Sequence, residues 1–132
     1  MQVILGVCHP NRPHAKHTRI IEDLLEIAYN GQIDALNAII NMLSDFHQHG
    51  RDSRFAVKMT GIPIWELKTA ARGGPKGGAR VYFFFLETEE AILVNAEVKP
   101  ENSPDPSKIK EVLQIYKSIE AGTITPIGRR AS

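Results

Sequence analysis

The sequence predicts one α+β domain in which a helical hairpin packs on one face of a mainly antiparallel four-stranded sheet. The chain has 132 residues with 42% hydrophobic and 23% charged residues, which suits a single domain with its own core. Two stretches with helical periodicity follow the first apolar run, and three alternating runs precede a last helical stretch. The predicted order is β-α-α-β-β-β-α, and such segregated runs are typical of α+β domains.

The first half of the chain predicts a strand and two helices. Residues 2–8 are rich in strand-forming side chains and end at "HPNRPH", which predicts a loop. Apolar residues then recur at helical spacing over 18–29 and over 32–48. Asn30 and Gly31 end the first helix, and Gly50 ends the second. Two helices joined at a glycine predict an antiparallel hairpin.

The second half predicts three strands at 62–68, 80–87 and 91–99. Because successive side chains point to opposite faces of a strand, alternation assigns two faces to the sheet. The first face is apolar and is expected to pack on the hairpin: Trp65, Leu67, Val81, Phe83, Phe85, Ile92, Val94, Ala96 and Val98. The second face is more polar and is expected to stay partly open. It collects Glu66, Lys68, Arg80, Tyr82, Asn95, Glu97 and Lys99, with Phe84 and Leu86 as apolar members.

A last helix follows the proline-rich segment "KPENSPDPS". Asp105 or Ser107 can cap it, and Pro106 suits its first turn. From Gly122 onward the composition turns to Thr, Pro, Gly and Arg, so we expect one domain over 1–121 and a flexible tail over 122–132.

Positive charge is concentrated between two of the predicted strands. The formal net charge is only +1, but Lys68, Arg72, Lys76 and Arg80 occur four residues apart with no acidic residue among them. The glycines and the proline of "GGPKGG" argue against a continuous helix there and favour a loop. Lys68 and Arg80 therefore fall at strand ends, and Arg72 and Lys76 fall on the loop.

These cations suit a phosphodiester ligand, because each neutralised phosphate releases counterions. Cleavage of RNA by its own 2′-hydroxyl needs a proton acceptor, cations beside the phosphorane and a proton donor for the leaving oxygen. A lysine crowded by other cations can act as the base, and an arginine can hold phosphate bidentately. The candidates for chemistry are Lys68, Arg80 and Lys99, with Glu97 expected either to orient a cation or to share in proton transfer. Tyr82 offers a stacking surface for an RNA base. The alternative interpretation is a solvated surface with weak pairs such as Glu66 with Lys68.

Other kinds of site find less support in the sequence. Cys8 is the only cysteine, which excludes an intramolecular disulfide and favours a reducing, cytoplasmic location. The N-terminus predicts neither a signal peptide nor a membrane span. Five histidines lack the spacing of a metal site, so we expect no metal and no cofactor. "GGPKGG" lacks the pattern of a nucleotide-binding P-loop.

The order of several motifs resembles the RelE/ParE toxin superfamily, in its HigB-like, phage-derived branch. "GIPIWELK" is followed by "GGARVYFFF", then by "AILVNAEVKPENSPDPSKI" and a final helix, and the specific part of the likeness covers 61–109. The resemblance implies an α+β toxin of a toxin–antitoxin pair. Such toxins are often ribosome-dependent mRNA endoribonucleases that need no metal and are neutralised by an antitoxin, commonly a helix-turn-helix protein.

Carried over by motif, Lys68 matches the basic residue that closes "ELR", Arg80 matches the arginine before "V-aromatic", and Lys99 matches the basic residue ending the last strand. The resemblance also implies that the loop residues Arg72 and Lys76 contact RNA. The chain departs from the pattern in having "ELK" for "ELR" and Pro100 where a second cation is common. Two other hypotheses stay open: a non-nuclease toxin of the gyrase-inhibiting branch or a degenerate phage-derived protein, and a partner protein whose basic loop only holds an acidic antitoxin segment. A homodimer is also compatible with the sequence.

Overall fold

The computed structural model describes residues 1–69, 78–98 and 103–127, which contain three helices and five strands. The elements are β1 (Ile4–Leu5), α1 (Arg19–Tyr29), α2 (Ile33–His49), β2 (Ala56–Lys58), β3 (Trp65–Lys68), β4 (Ala79–Phe85), β5 (Ala91–Val98) and α3 (Pro106–Glu120). A short 3-10 turn, Gly50–Asp52, follows α2. The predicted α+β class is confirmed. In the part of the chain so described, none of the helices has the length and apolar character needed to span a membrane.

Helices α1 and α2 form the predicted hairpin. Their buried stripes pack on one face of the sheet and enclose the first of two cores, in which Phe46 of α2 meets Phe83 of β4 at 4.7 Å between ring centroids. Gly31 and Gly50 end the two helices with φ of 72° and 55°. This left-handed region favours glycine, so the two predicted helix ends are confirmed.

The sheet has the order β1-β5-β4-β3-β2. Strand β1 pairs in parallel with β5, and the other neighbours are antiparallel. The prediction of four strands was wrong by one, because β2 was missed. It has three residues at the edge of the sheet, with Val57 40% exposed and Lys58 exposed, which is too short a run to show a clear alternation.

An irregularity in β5 changes which side chains share a face. Tyr82 pairs with Asn95, but Phe83 pairs with Leu93, so Val94 is an extra residue. Ile92 and Val94 consequently join the second core, contrary to the predicted assignment. Strict alternation cannot anticipate such a bulge, because one extra residue moves every earlier side chain to the opposite face.

Helix α3 covers the face that was expected to stay partly open. Its buried residues Val112 and Ile115 pack with Tyr82 and Phe84 in the second core. Of the two predicted caps, Asp105 is the one used: it caps the helix by accepting a hydrogen bond from the Ser107 amide at 2.9 Å. The polar side chains of this face are therefore largely enclosed, and the expectation of an open polar surface was wrong.

The segment after α3 returns to the sheet. Gly6 and Ile127 exchange two backbone hydrogen bonds of 3.1 and 2.7 Å, which places Ile127 beside β1. The sequence assigned 122–132 to a flexible tail, but this pairing holds residue 127 against the domain. Residues 128–132 lie outside the described part of the chain.

Candidate functional site

Three strands bring the predicted polar residues together at one end of the sheet. Lys68 of β3 stands opposite Arg80 of β4, and Arg80 stands opposite Glu97 of β5. Glu66 and Tyr82 form the next pair on the same face. The predicted convergence on one face is confirmed by this register. We call these five residues, Glu66, Lys68, Arg80, Tyr82 and Glu97, the sheet-end cluster.

Arg80 lies at the centre of the sheet-end cluster. Its Nη1 donates to Glu66 Oε2 at 3.0 Å, and its Nε lies 4.0 Å from Glu97 Oε1. The arginine and both carboxylate side chains are no more than 7% exposed. A buried guanidinium between two carboxylates is strongly positioned, and its charge is already compensated within the protein.

Lys68 is the exposed member of the sheet-end cluster. Its Nζ lies 3.9 Å from Glu66 Oε1, and its side chain is 44% exposed. Such a loose contact leaves the ammonium group able to reach a ligand. Within the described residues, Lys68 lies between the Glu66 carboxylate and the cation Arg80 opposite it in β4. An exposed ammonium group at this position is suited to contact a phosphate.

Tyr82 is fully buried, and its hydroxyl donates to Glu97 Oε2 at 3.2 Å. Burial raises the pKa of the phenol well above its ordinary value, and the Glu97 and Glu66 charges raise it further. The expected role of Tyr82 as a stacking surface for an RNA base does not fit this position, because no ring face is available. The structure gives Tyr82 a positioning role toward Glu97 instead.

Glu97 connects the sheet-end cluster to the start of α3. Its Oε2 accepts the Asp105 amide at 3.2 Å as well as the Tyr82 hydroxyl. Glu97 therefore holds Arg80 and the helix cap in one arrangement, which fits the orienting role that was one of its two predicted roles. Three further candidates, Arg72, Lys76 and Lys99, lie outside the described residues.

Sequence reasoning overlooked Glu66 as a site residue and treated it as half of a surface pair. The structure buries it to 5% exposure and places its two oxygens toward Arg80 and Lys68. The signal was present in the strand parity, which put a carboxylate and two cations on one face. The missing information was that folding buries Glu66, which strand parity cannot show.

A second ionic cluster, also overlooked, lies where α1 and α3 meet the free edge of β5. Asp23 of α1 accepts from Arg19 at 2.6 Å, from Lys108 at 2.8 Å and from the Ala96 amide at 2.9 Å. Glu111 of α3 accepts from Arg19 at 3.0 Å and from Asn95 at 2.7 Å. We call these five side chains, Arg19, Asp23, Asn95, Lys108 and Glu111, the edge cluster.

The edge cluster lies along the part of β5 that does not pair with β1, where Asp23 accepts a hydrogen bond from the Ala96 amide. Burial alone would lower the pKa of Arg19, but the hydrogen bonds and charges of Asp23 and Glu111 outweigh burial and raise it. A shallow cleft of about 480 Å³ opens beside this cluster, toward His9 and Arg12. Its two arginines are already paired with Glu22, Asp23 and Glu111, so the arrangement is that of a structural clamp.

Neither cluster has the composition of a metal centre. Over residues 1–69, 78–98 and 103–127, no group of three or more His, Cys, Asp or Glu side chains is placed to hold an ion. The side chains of the sheet-end cluster are two cations, two carboxylates and a phenol.

No protein-family model matches the sequence, and a search of curated proteins also finds no match. The resemblance to RelE/ParE toxins thus rests on the order and spacing of the motifs quoted above.

Proposed function

We propose that this protein is a metal-independent endoribonuclease of the RelE/ParE kind, the toxin of a toxin–antitoxin pair, which cleaves mRNA on the ribosome and blocks translation. One observation carries the proposal: the sheet-end cluster presents the exposed Lys68 on the strand next to a buried Arg80 that is held by two carboxylates. A cation that can reach solvent, backed by a second fixed cation, suits a phosphate whose charge grows during the reaction.

The roles follow from exposure and contacts. Lys68 contacts the scissile phosphate, since its side chain is the most exposed of the cluster. Arg80 stabilises the phosphorane by its fixed charge. Glu66 lies between the two cations and accepts the proton of the 2′-hydroxyl, while the Lys68 ammonium group donates a proton to the leaving 5′-oxygen. Glu97 and Tyr82 position Arg80 and do not touch RNA.

Three further cations are close to the sheet-end cluster in sequence. Arg72 and Lys76 lie on the connection that leaves β3 at Lys68 and enters β4 at Ala79, and Lys99 directly follows β5. We assign Arg72 and Lys76 to gripping RNA and Lys99 to phosphate binding. The cognate antitoxin, proposed to be a helix-turn-helix protein, and the ribosome with its mRNA are the partners, which places the protein in the cytoplasm.

A second candidate function is favoured by the burial of Arg80. Its charge is compensated by Glu66 at 3.0 Å, so a phosphate has to compete with a carboxylate for the same guanidinium. A toxin of the gyrase-inhibiting kind, or a degenerate phage-derived protein bound to an antitoxin, would keep the fold and the cluster without cutting RNA.

Primer extension on translating ribosomes separates the two candidates. We expect the purified protein to cut a defined mRNA on translating ribosomes, and to fail on an mRNA that carries a single 2′-deoxynucleotide at the cleavage position. The Lys68→Ala variant should cut about 100-fold more slowly, as expected for loss of one charged group at the developing negative charge.

Lys110→Ala is the matched control, because Lys110 is an exposed lysine on α3 outside the sheet-end cluster. It should cut like the wild type. Full activity of Lys68→Ala would contradict the site assignment. Absence of cleavage by the wild type, together with growth arrest and altered DNA supercoiling, would favour the gyrase-inhibiting alternative.

A further inference from the structure

Arg54 differs from the other arginines of the described residues in having no carboxylate partner there. The other four each form an ion pair with Asp or Glu: Arg12, Arg19, Arg51 and Arg80. Arg54 is exposed, and its guanidinium group lies over the Phe55 ring, 4.8 Å from the ring centroid. An arginine placed in this way covers an aromatic ring with one face of its plane and leaves the other face to solvent.

The turn that carries Arg54 is fixed to helix α2. Ser53 is buried to 5% exposure, and its hydroxyl donates to Asp45 of α2 at 2.6 Å. The same hydroxyl accepts the Phe55 amide at 3.3 Å, and the Ser53 carbonyl accepts the Ala56 amide at 3.1 Å, which closes a turn around Arg54 and Phe55. The backbone of Arg54 is therefore held in place, although its side chain is exposed.

This turn lies next to the sheet-end cluster. The Phe55 carbonyl accepts the Lys68 amide at 3.1 Å, and Lys68 stands opposite Arg80 on the following strand. Since neighbouring strands are about 4.8 Å apart, the turn, Lys68 and Arg80 follow one another across the end of the sheet. The Phe55 ring packs against the first core, on the face opposite to Lys68. A nucleic-acid strand bound at Lys68 thus reaches Arg54 by passing over the end of the sheet.

We propose that Arg54 and Phe55 form a stacking site for the nucleobase that flanks the phosphate bound at Lys68. Single-stranded RNA is bound by cations that hold its phosphates and by planar groups, including guanidinium planes, on which its bases stack. The base stacks on the outer face of the Arg54 guanidinium group, whose inner face lies on the Phe55 ring. Tyr82, the aromatic member of the sheet-end cluster, is fully buried and offers no such surface. This inference rests on the proposed function, because it takes RNA as the ligand of the sheet-end cluster.

The test compares two probes in NMR titrations of the full chain: a hexamer of adenosine, and the same ribose-phosphate backbone without its bases. The adenosine hexamer should bind at least about tenfold more tightly than the probe without bases. It should also shift the side-chain protons of Arg54 upfield, since a stacked base places them above its ring. A contact with phosphate alone would move the Arg54 Nε proton downfield and would overturn the proposal.

Arg54→Lys keeps the charge and removes the guanidinium plane. It should lose about tenfold in affinity for the adenosine hexamer and should bind the two probes almost equally. Arg51→Lys is the matched control, because Arg51 also lies over an aromatic ring, 3.9 Å from the Phe85 centroid, but is paired with Glu89. It should bind both probes as the wild type does.

Four results would each overturn the stacking site: wild-type affinity in Arg54→Lys, an equal loss in Arg51→Lys, equal binding of the two probes by the wild type, or no binding of the adenosine hexamer at millimolar concentration. These titrations need no cleavage. A wild type that stacks the base at Arg54 but does not cut mRNA on ribosomes would therefore support the stacking site and contradict the proposed nuclease. Cleavage by a wild type that binds both probes equally would overturn the stacking site and leave the nuclease.

Discussion

The sheet-end cluster and the edge cluster contain the same charges but differ in how far a cation reaches out of the protein. Each has two carboxylates, one arginine and one lysine. Lys108 of the edge cluster is 22% exposed and lies 2.8 Å from Asp23, whereas Lys68 of the sheet-end cluster is 44% exposed and lies 3.9 Å from Glu66. Buried charge by itself therefore does not mark a functional site. The loosely held, exposed cation distinguishes the candidate site from a structural clamp.

The largest expected effect is on the edge cluster. Asp23→Ala removes the acceptor shared by Arg19, Lys108 and the Ala96 amide, and should lower the free energy of unfolding by about 4 kcal/mol. Urea denaturation of the variant and the wild type measures this change in the free energy of unfolding. The control Asp34→Ala removes an exposed carboxylate from the first turn of α2 and should cost less than about 1 kcal/mol. A similar small loss for both variants would mean that the edge cluster is not a clamp.

Arg80→Ala should follow, with a loss of about 3 kcal/mol, because it leaves the Glu66 carboxylate buried without its close guanidinium. The double variant Arg80→Met with Glu66→Gln removes both charges and should regain most of that free energy. Thermal or urea unfolding of the single and double variants measures the coupling. If the double variant is no more stable than Arg80→Ala, the pair is not the main reason that Arg80 is needed for folding.

Tyr82→Phe should produce a pH-dependent effect. The unfolded phenol loses its proton near pH 10, while the folded phenol keeps it because its pKa is raised by burial and by the nearby carboxylates. The unfolded state then binds fewer protons, so Tyr82 makes the free energy of unfolding fall by up to about 1.4 kcal/mol per pH unit above pH 10. Between pH 9 and 11, the free energy of unfolding of Tyr82→Phe should fall less steeply with pH than that of the wild type. The control Tyr29→Phe, at an 89% exposed residue, should keep the wild-type slope.

The smallest effect on stability is expected for Lys68→Ala, at less than about 0.5 kcal/mol, because a half-exposed ion pair contributes little. The same variant should lose RNA cleavage, as proposed above. If Lys68→Ala unfolds in urea like the wild type but no longer cleaves RNA, Lys68 acts in the site and does not stabilise the fold. A large loss of stability in Lys68→Ala would instead mean that the sheet-end cluster, like the edge cluster, serves to stabilise the fold.

Local patterns in the sequence were sufficient to predict the helices. The apolar spacing, the glycines at 31 and 50 and the Asp105 cap act within a few residues, so the predicted hairpin and the start of α3 agree with the structure. Strand parity also brought Lys68, Arg80, Tyr82 and Glu97 to one face, because side-chain alternation is a local property of each strand.

Three features depended on contacts between distant segments. The bulge at Val94 turns Ile92 toward the second core. Helix α3 packs over Tyr82, and Asp23 of α1 accepts a hydrogen bond from the Ala96 amide of β5. None of these has a signal in local periodicity, since each depends on which element covers which surface.

The sequence by itself determined the types and order of the described elements except β2, and the placement of Lys68 and Arg80 on one face, because helical and strand periods depend on neighbouring residues. The tertiary structure alone decided which of those charges are buried and which reach solvent. That decision depends on the desolvation of each side chain by segments far away in the chain. It left Lys68 exposed, buried Arg80 between Glu66 and Glu97, and turned Tyr82 from a predicted RNA contact into an internal support.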